Sequence, residues 1–119
     1  MTLEYKITEM LLPFRLTWKN RATSDLIWAV RLVAEDANRI DAVDKEVYAV
    51  IAKARCCTWR GIESNIRRAM EQAWKHNRGY MEVLAGHPLD ACPTAAEFIY
   101  ICARAITRQQ TAENLKSMT

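Results

Sequence analysis

The sequence predicts an all-α fold, a compact domain of six helices in which the third and fourth form a helix-turn-helix. Three observations support that reading. Only three glycines and three prolines punctuate 119 residues, so turn chemistry for a sheet is scarce. Ala, Leu, Ile, Glu, Lys and Arg, all compatible with helix, dominate the chain. No run alternates apolar and polar residues as a half-buried strand would.

The elements follow in order. The first helix is expected over residues 3–11, with Leu3, Ile7, Met10 and Leu11 on one side and Pro13 beyond its end. The stretch PFRLTWKNRAT reads as an irregular connection containing Trp18. Ser24 or Thr23 is placed to cap a second helix that runs to about Asn38, with Leu26, Ile27, Val30, Val33 and Ala37 facing inward. A third helix over residues 44–54 buries Val47, Val50, Ile51 and Ala54. After a short break at residues 55–57, Thr58 caps a fourth helix extending to about His76. A turn around Gly79 precedes a short fifth helix over residues 80–85, closed by Gly86 and Pro88. The last helix opens at Thr94 and Glu97, whose spacing is that of a capping box, and it buries Phe98, Ile101, Cys102, Ala105 and Ile106. The polar tail over residues 110–119 is expected to fray.

Length and composition fit one domain over residues 1–119, half hydrophobic and a quarter charged, large enough for a single core. No apolar run approaches the ~20 residues a membrane span needs. The N-terminus lacks the pattern of a signal peptide, so a cytoplasmic protein with no membrane partner is expected. No internal repeat or linker divides the chain.

The charge is unevenly placed. Residues 53–78 hold Lys53, Arg55, Arg60, Arg67, Arg68, Lys75 and Arg78 against Glu63 and Glu71, a local net charge of +5. The whole chain carries +3, which leaves −2 for the remainder. One basic segment on a mildly acidic scaffold favours a polyanionic partner, although a solvated helix face can be basic for no further reason.

Four cysteines raise the question of a metal. Cys56 and Cys57 are adjacent, Cys92 and Cys102 lie far apart, and no C-x2–4-C pair of zinc-site spacing occurs. Free thiols and no metal or other cofactor are expected, with Cys102 acting as a small hydrophobe. There is no nucleophile–base pair and no phosphate-binding glycine loop. No enzyme, catalytic residue or small-molecule substrate is expected, and His76 sits at a basic helix end where it caps carbonyls or meets phosphate.

The fourth helix is the informative one. At about 100° per residue, Ile62, Ile66, Ala69, Met70 and Ala73 cluster on one side, and Arg60, Glu63, Ser64, Arg67 and Glu71 project from the other. Packing requires the apolar stripe and is indifferent to what stands opposite. Arginine can donate two parallel hydrogen bonds to guanine, and glutamate can accept from cytosine N4, so this outward set suits a DNA major groove. Arg60, Glu63, Ser64 and Arg67 are therefore the candidate base readers. Lys53, Arg55, Thr58, Arg68, Lys75 and Arg78 are the candidate contacts to the DNA backbone. Glu63 and Arg67 are also four apart, the spacing of an ordinary surface ion pair worth ~0.3–0.5 kcal/mol.

Three stretches in register carry a family resemblance: Lys45-x-x-Tyr48-x-x-Ile51-Ala52-Lys53, then Ile62-Glu63-x-x-Ile66-Arg67-x-Ala69-x-Glu71-x-Ala73-Trp74, then Pro93-Thr94-x-x-Glu97-Phe98-Ile99. The chain resembles the C-terminal DNA-binding domain family of the sporulation initiation regulator, stage-zero sporulation protein A. The resemblance reaches back weakly to about Ile7. It implies a six-helix fold and a transcription factor that binds short boxes in double-stranded DNA, as a homodimer or as tandem copies. It implies that Glu63 and Arg67 approach bases, with Arg60 and Arg68 at neighbouring polar positions and Lys53 near the backbone. Two departures stand out, since members of the family carry arginine where this chain has Gly61 and Ser64. The typical member also has a phosphorylatable receiver domain before this one, and none precedes it in these 119 residues.

A second reading stands beside DNA binding. A relative that has lost base-reading arginines could serve as a helical protein–protein interaction module or antagonist, and tryptophan is enriched in binding hot spots. On their helical spacing Trp28 and Trp74 belong to the core, whereas Trp18 and Trp59 are open to either role.

Overall fold

The computed structural model describes residues 2–17 and 19–118. Helices α1 (Leu3–Leu11), α2 (Arg21–Glu35), α3 (Ala49–Arg55), α4 (Trp59–Ala85) and α5 (Ala95–Ser117) carry the fold, and there is no strand among the described residues. Asn77 breaks α4 into two arms (φ −152°, ψ 69°), so the described residues form six α-helices. The region around Trp18 is described on either side of that residue, which itself lies outside the described residues.

Helix starts follow side-chain caps, because the first turn of a helix leaves backbone N–H groups unpaired. Thr2 Oγ1 accepts from Tyr5 N at 3.1 Å and starts α1. Asn20 Oδ1 accepts from Ala22 N at 2.9 Å and starts α2, three residues before the expected cap. Asparagine ranks with the best N-caps, and it leaves Thr23 inside the helix and buried. Thr94 and Glu97 form the expected capping box of α5.

The break in α4 also has a cause, and it lies at Asn77 rather than at the expected Gly79. Asn77 donates from Nδ2 to the Pro13 carbonyl at 3.2 Å. Its Oδ1 accepts from Tyr80 N at 3.1 Å, which caps the second arm. Gly79 sits within that arm. Gly86 then closes the helix with a left-handed backbone (φ 84°), as expected.

The core is continuous. α2 runs through its middle and packs on α1, α4 and α5 through Leu26, Ala29, Val30 and Val33. Phe14, from the 3-10 turn Leu12–Phe14, sets its ring edge to face against Tyr80 (4.9 Å between centroids) and Phe98 (5.8 Å). Cys102 is fully buried, and burial pushes its thiol well above the usual range.

Three positions expected to be buried are exposed. Ala37 begins a 3-10 stretch (Ala37–Ala42) and is exposed. Val50 and Ala54 are exposed, and Tyr48 and Ala52 are buried in their place beside Val47 and Ile51. The chain enters α3 through a π-helical turn (Asp44–Tyr48), and the buried side runs along Val47, Tyr48, Ile51 and Ala52. On α5, Ile101 and Ala105 are partly buried, while Ile99 and Ala103 join Phe98, Cys102 and Ile106 inside. The helix continues through Ser117.

Candidate nucleic-acid interface

The basic segment is α3, a three-residue turn and the first arm of α4. α3 ends where Cys56 turns left-handed (φ 56°, ψ 46°), and Cys57 N donates to the Ala52 carbonyl at 3.0 Å. Thr58 then caps α4 by accepting from Gly61 N at 3.1 Å. Two cysteines and one threonine thus suffice to stop one helix and start the next, and both thiols are exposed.

Ile62, Ile66, Ala69, Met70 and Ala73 are all buried, so the inner face of the first arm is the predicted one. Burying an Ile or Met side chain contributes about 1.5–3 kcal/mol, and three such residues set the docking of the helix firmly. Of the predicted polar set, Arg60, Arg67 and Glu71 are exposed and Glu63 and Ser64 are half-buried. Arg67 Nη1 donates to Glu63 Oε1 at 2.9 Å and to Oε2 at 3.2 Å, and Arg67 Nη2 donates to Ser64 Oγ at 3.3 Å. Three of the four candidate base readers therefore form one hydrogen-bonded cluster on one outward turn. Arg60 lies one turn earlier, with its guanidinium 5.4 Å from the Trp59 ring centroid. Trp59 is itself partly exposed.

Beneath the cluster sits Tyr48. Burial first, then the carboxylates of Glu63 and Asp44, push its hydroxyl up to about 12, while Arg67 works in the other direction. It stays protonated at neutral pH.

The candidate backbone contacts divide into two groups. Lys53, Thr58, Arg68 and Lys75 are exposed on or beside the first arm. Arg55 is not outward. Its guanidinium turns into the domain, with Nε 2.5 Å from Asp25 Oδ1, Nη2 donating to Ser24 Oγ at 2.9 Å, and the Trp28 ring 5.4 Å away. A buried carboxylate outcompetes solvent for that charge, and Arg55 is withdrawn from the expected DNA-facing set. Arg78 is exposed as well but belongs to the second arm, where it stacks on Trp74 at 4.5 Å and donates to the Leu89 carbonyl.

Two residues of this region were not expected from the sequence. Asp25 is fully buried, and Asn65 Nδ2 donates to its Oδ2 at 3.1 Å. The available signal was Asp25 itself, a lone carboxylate on the side of α2 that carries Trp28, Ala29 and Leu32 at helical spacing. No group of three or more metal-ligating side chains occurs among the described residues, and none of their helices is long and apolar enough to cross a membrane.

An all-helical domain with a basic, hydrogen-bonding helix face turned to solvent is compatible with a DNA-binding regulatory class, and the family match decides between that class and an ordinary solvated surface. Residues 17–106, about three quarters of the chain, match the family described as sporulation initiation factor Spo0A C terminal. The chain belongs to that family, whose members are DNA-binding domains of sporulation regulators.

Proposed function

We propose that this chain reads a short sequence in duplex DNA, with α3 and the first arm of α4 acting as a helix-turn-helix and α4 lying in the major groove. The observation that carries this reading is the outward cluster of Glu63, Ser64 and Arg67 on a helix whose other side is wholly buried. Arginine has five N–H donors, and the contacts to Glu63 and Ser64 use at most three. The side chain is thereby oriented while at least two donors stay free for a guanine edge. Arg60, Glu63, Ser64 and Arg67 read bases. Lys53, Thr58, Arg68 and Lys75 hold the phosphates, and neighbouring copies occupy tandem boxes.

The resemblance implies arginine at the positions of Gly61 and Ser64, so either a preferred box different from the family's usual one or weaker binding to it is expected. Selection from a randomised duplex pool, repeated across a salt series, tests the proposal. The expected result is one enriched short box with a steep salt slope. Salt-sensitive retention with no enrichment would refute base reading. No retention at low salt would refute DNA binding altogether and turn attention to a protein partner.

A further inference from the structure

The buried carboxylate of α2 touches both halves of the candidate helix-turn-helix. Asp25 Oδ1 faces Arg55, the last residue of α3, at 2.5 Å. Asp25 Oδ2 accepts from Asn65, in the second turn of α4, at 3.1 Å. The Arg55 contact is ionic and not an aligned hydrogen bond, so Ser24 and the Trp28 ring complete the setting of that guanidinium. Asn65 spends its amide nitrogen on Asp25 and turns its oxygen to Arg68, which donates to it from Nη2.

We propose that Asp25 is a positioning residue for DNA reading: it sets α4 against α3 and, through Asn65, aims Arg68 at the phosphate backbone. This rests on the function proposed above and adds a residue that never meets DNA. A stabilising role alone does not account for it. Taking charges out of water is costly, and apolar side chains of similar size commonly hold helices together as well or better. Apolar packing lacks direction, whereas one carboxylate in ionic contact with the end of one helix and hydrogen-bonded to another restricts their relative rotation. Asn65 lies between Ser64 and Ile66, so any rotation of α4 that shifts Asn65 also shifts the base-reading cluster. Recognition geometry tolerates only about 0.5 Å and 10–20° of such error.

The test uses the full chain and the box enriched from the randomised pool. Two variants are compared with the parent, Asn65→Ala and the apolar triple Asp25→Leu/Arg55→Met/Asn65→Leu. Thermal unfolding and circular dichroism report folding, and the ratio of affinities for the box and for an unrelated duplex reports reading. The expected result for the triple is parental unfolding temperature with a box-to-unrelated ratio reduced about tenfold or more. For Asn65→Ala, which takes the donor from Asp25 Oδ2 but keeps the Arg55 contact, the expected result is a folded protein with a lowered unfolding temperature and a smaller loss of the same ratio. In that background Arg68→Ala should cost less affinity than it does in the parent, since Arg68 has already lost its support. Folded variants with the parental ratio, and an unchanged Arg68→Ala effect, would overturn the positioning role. A parent that enriches no box would instead overturn the proposed function, so the two failures are distinguishable.

Discussion

Replacing Arg67 with alanine separates base reading from surface chemistry. In the free protein Arg67 pairs with Glu63 while about half exposed, its side chain retaining 48% of its accessible area and that of Glu63 28%. A pair at that depth and at four-residue spacing contributes only ~0.3–0.5 kcal/mol, so Arg67→Ala should barely move the unfolding temperature. On DNA the same side chain would supply a two-pronged contact to one guanine, worth about 1–3 kcal/mol of discrimination. That corresponds to about a 5- to 150-fold loss of affinity for the selected box. A lost base contact releases no extra counterion, whereas a lost phosphate contact lowers the slope of log K against log salt by about 0.9. Fluorescence anisotropy with the selected box and its single-position variants, at four or more salt concentrations, measures both quantities. The expected outcome is a weaker complex, relaxed preference at one position and an unchanged slope. Equal affinity and equal preference would refute the assignment of α4 as the reading helix. A uniform loss with a shallower slope would make Arg67 a phosphate contact and leave base choice to its neighbours.

Lys75→Ala should behave in the opposite manner, weakening all duplexes alike and lowering the salt slope by about 0.9, which the same titration would detect. Gly61→Ala should raise stability by about 0.5–1 kcal/mol, measured by urea unfolding, because glycine is a poor residue inside a helix. The added Cβ would lie 3.3 Å from Thr58 Oγ1, yet the same cap-to-third-residue geometry is met by Thr94 and Glu97, where the third residue has a Cβ. Tyr48→Phe should remove part of the loss of stability at alkaline pH. The hydroxyl is raised from 10 to about 12 in the folded state, so its contribution is complete below pH 10 and is lost as pH rises towards 12, when only the unfolded chain ionises readily. Unfolding midpoints of parent and variant from pH 8 to 11.5 should therefore coincide at the low end and diverge at the high end.

Much of the architecture was legible in the residues because it depends on local chemistry. Thr58 and Thr94 cap where their hydroxyls reach the third backbone N–H, and Gly86 closes α4 where a left-handed residue is needed. One error arises where a distant partner decides. Nothing near Asn77 in the sequence says that it will meet the Pro13 carbonyl, and that contact moves the break in α4 two residues before the expected glycine. The choice of Asn20 over Thr23 or Ser24 as the cap of α2 is by contrast local, since Asn20 Oδ1 reaches Ala22 N and asparagine caps as well as serine. The π-helical turn before α3 is likewise a local departure that a fixed helical period cannot anticipate.

The outward face of α4 was readable for the reason that made it a candidate. Once Ile62, Ile66 and Met70 are buried, the helical period turns Arg67 outward and leaves Glu63 and Ser64 half-buried beside it. The cations were less readable, because charge and position along the chain do not say which guanidinium meets a buried carboxylate. Arg55 and Arg68 both fall in the basic segment, yet Arg55 serves the interior, and Arg68 is reached from the interior only through Asn65. The basic segment therefore contains two kinds of arginine. One kind supplies charge to the surface, and the other fixes the helix that carries it. Mutating either kind would weaken DNA binding, so loss of binding alone identifies neither. Only the salt slope and the box-to-unrelated ratio, measured together on folded variants, distinguish a residue that touches DNA from one that aims it.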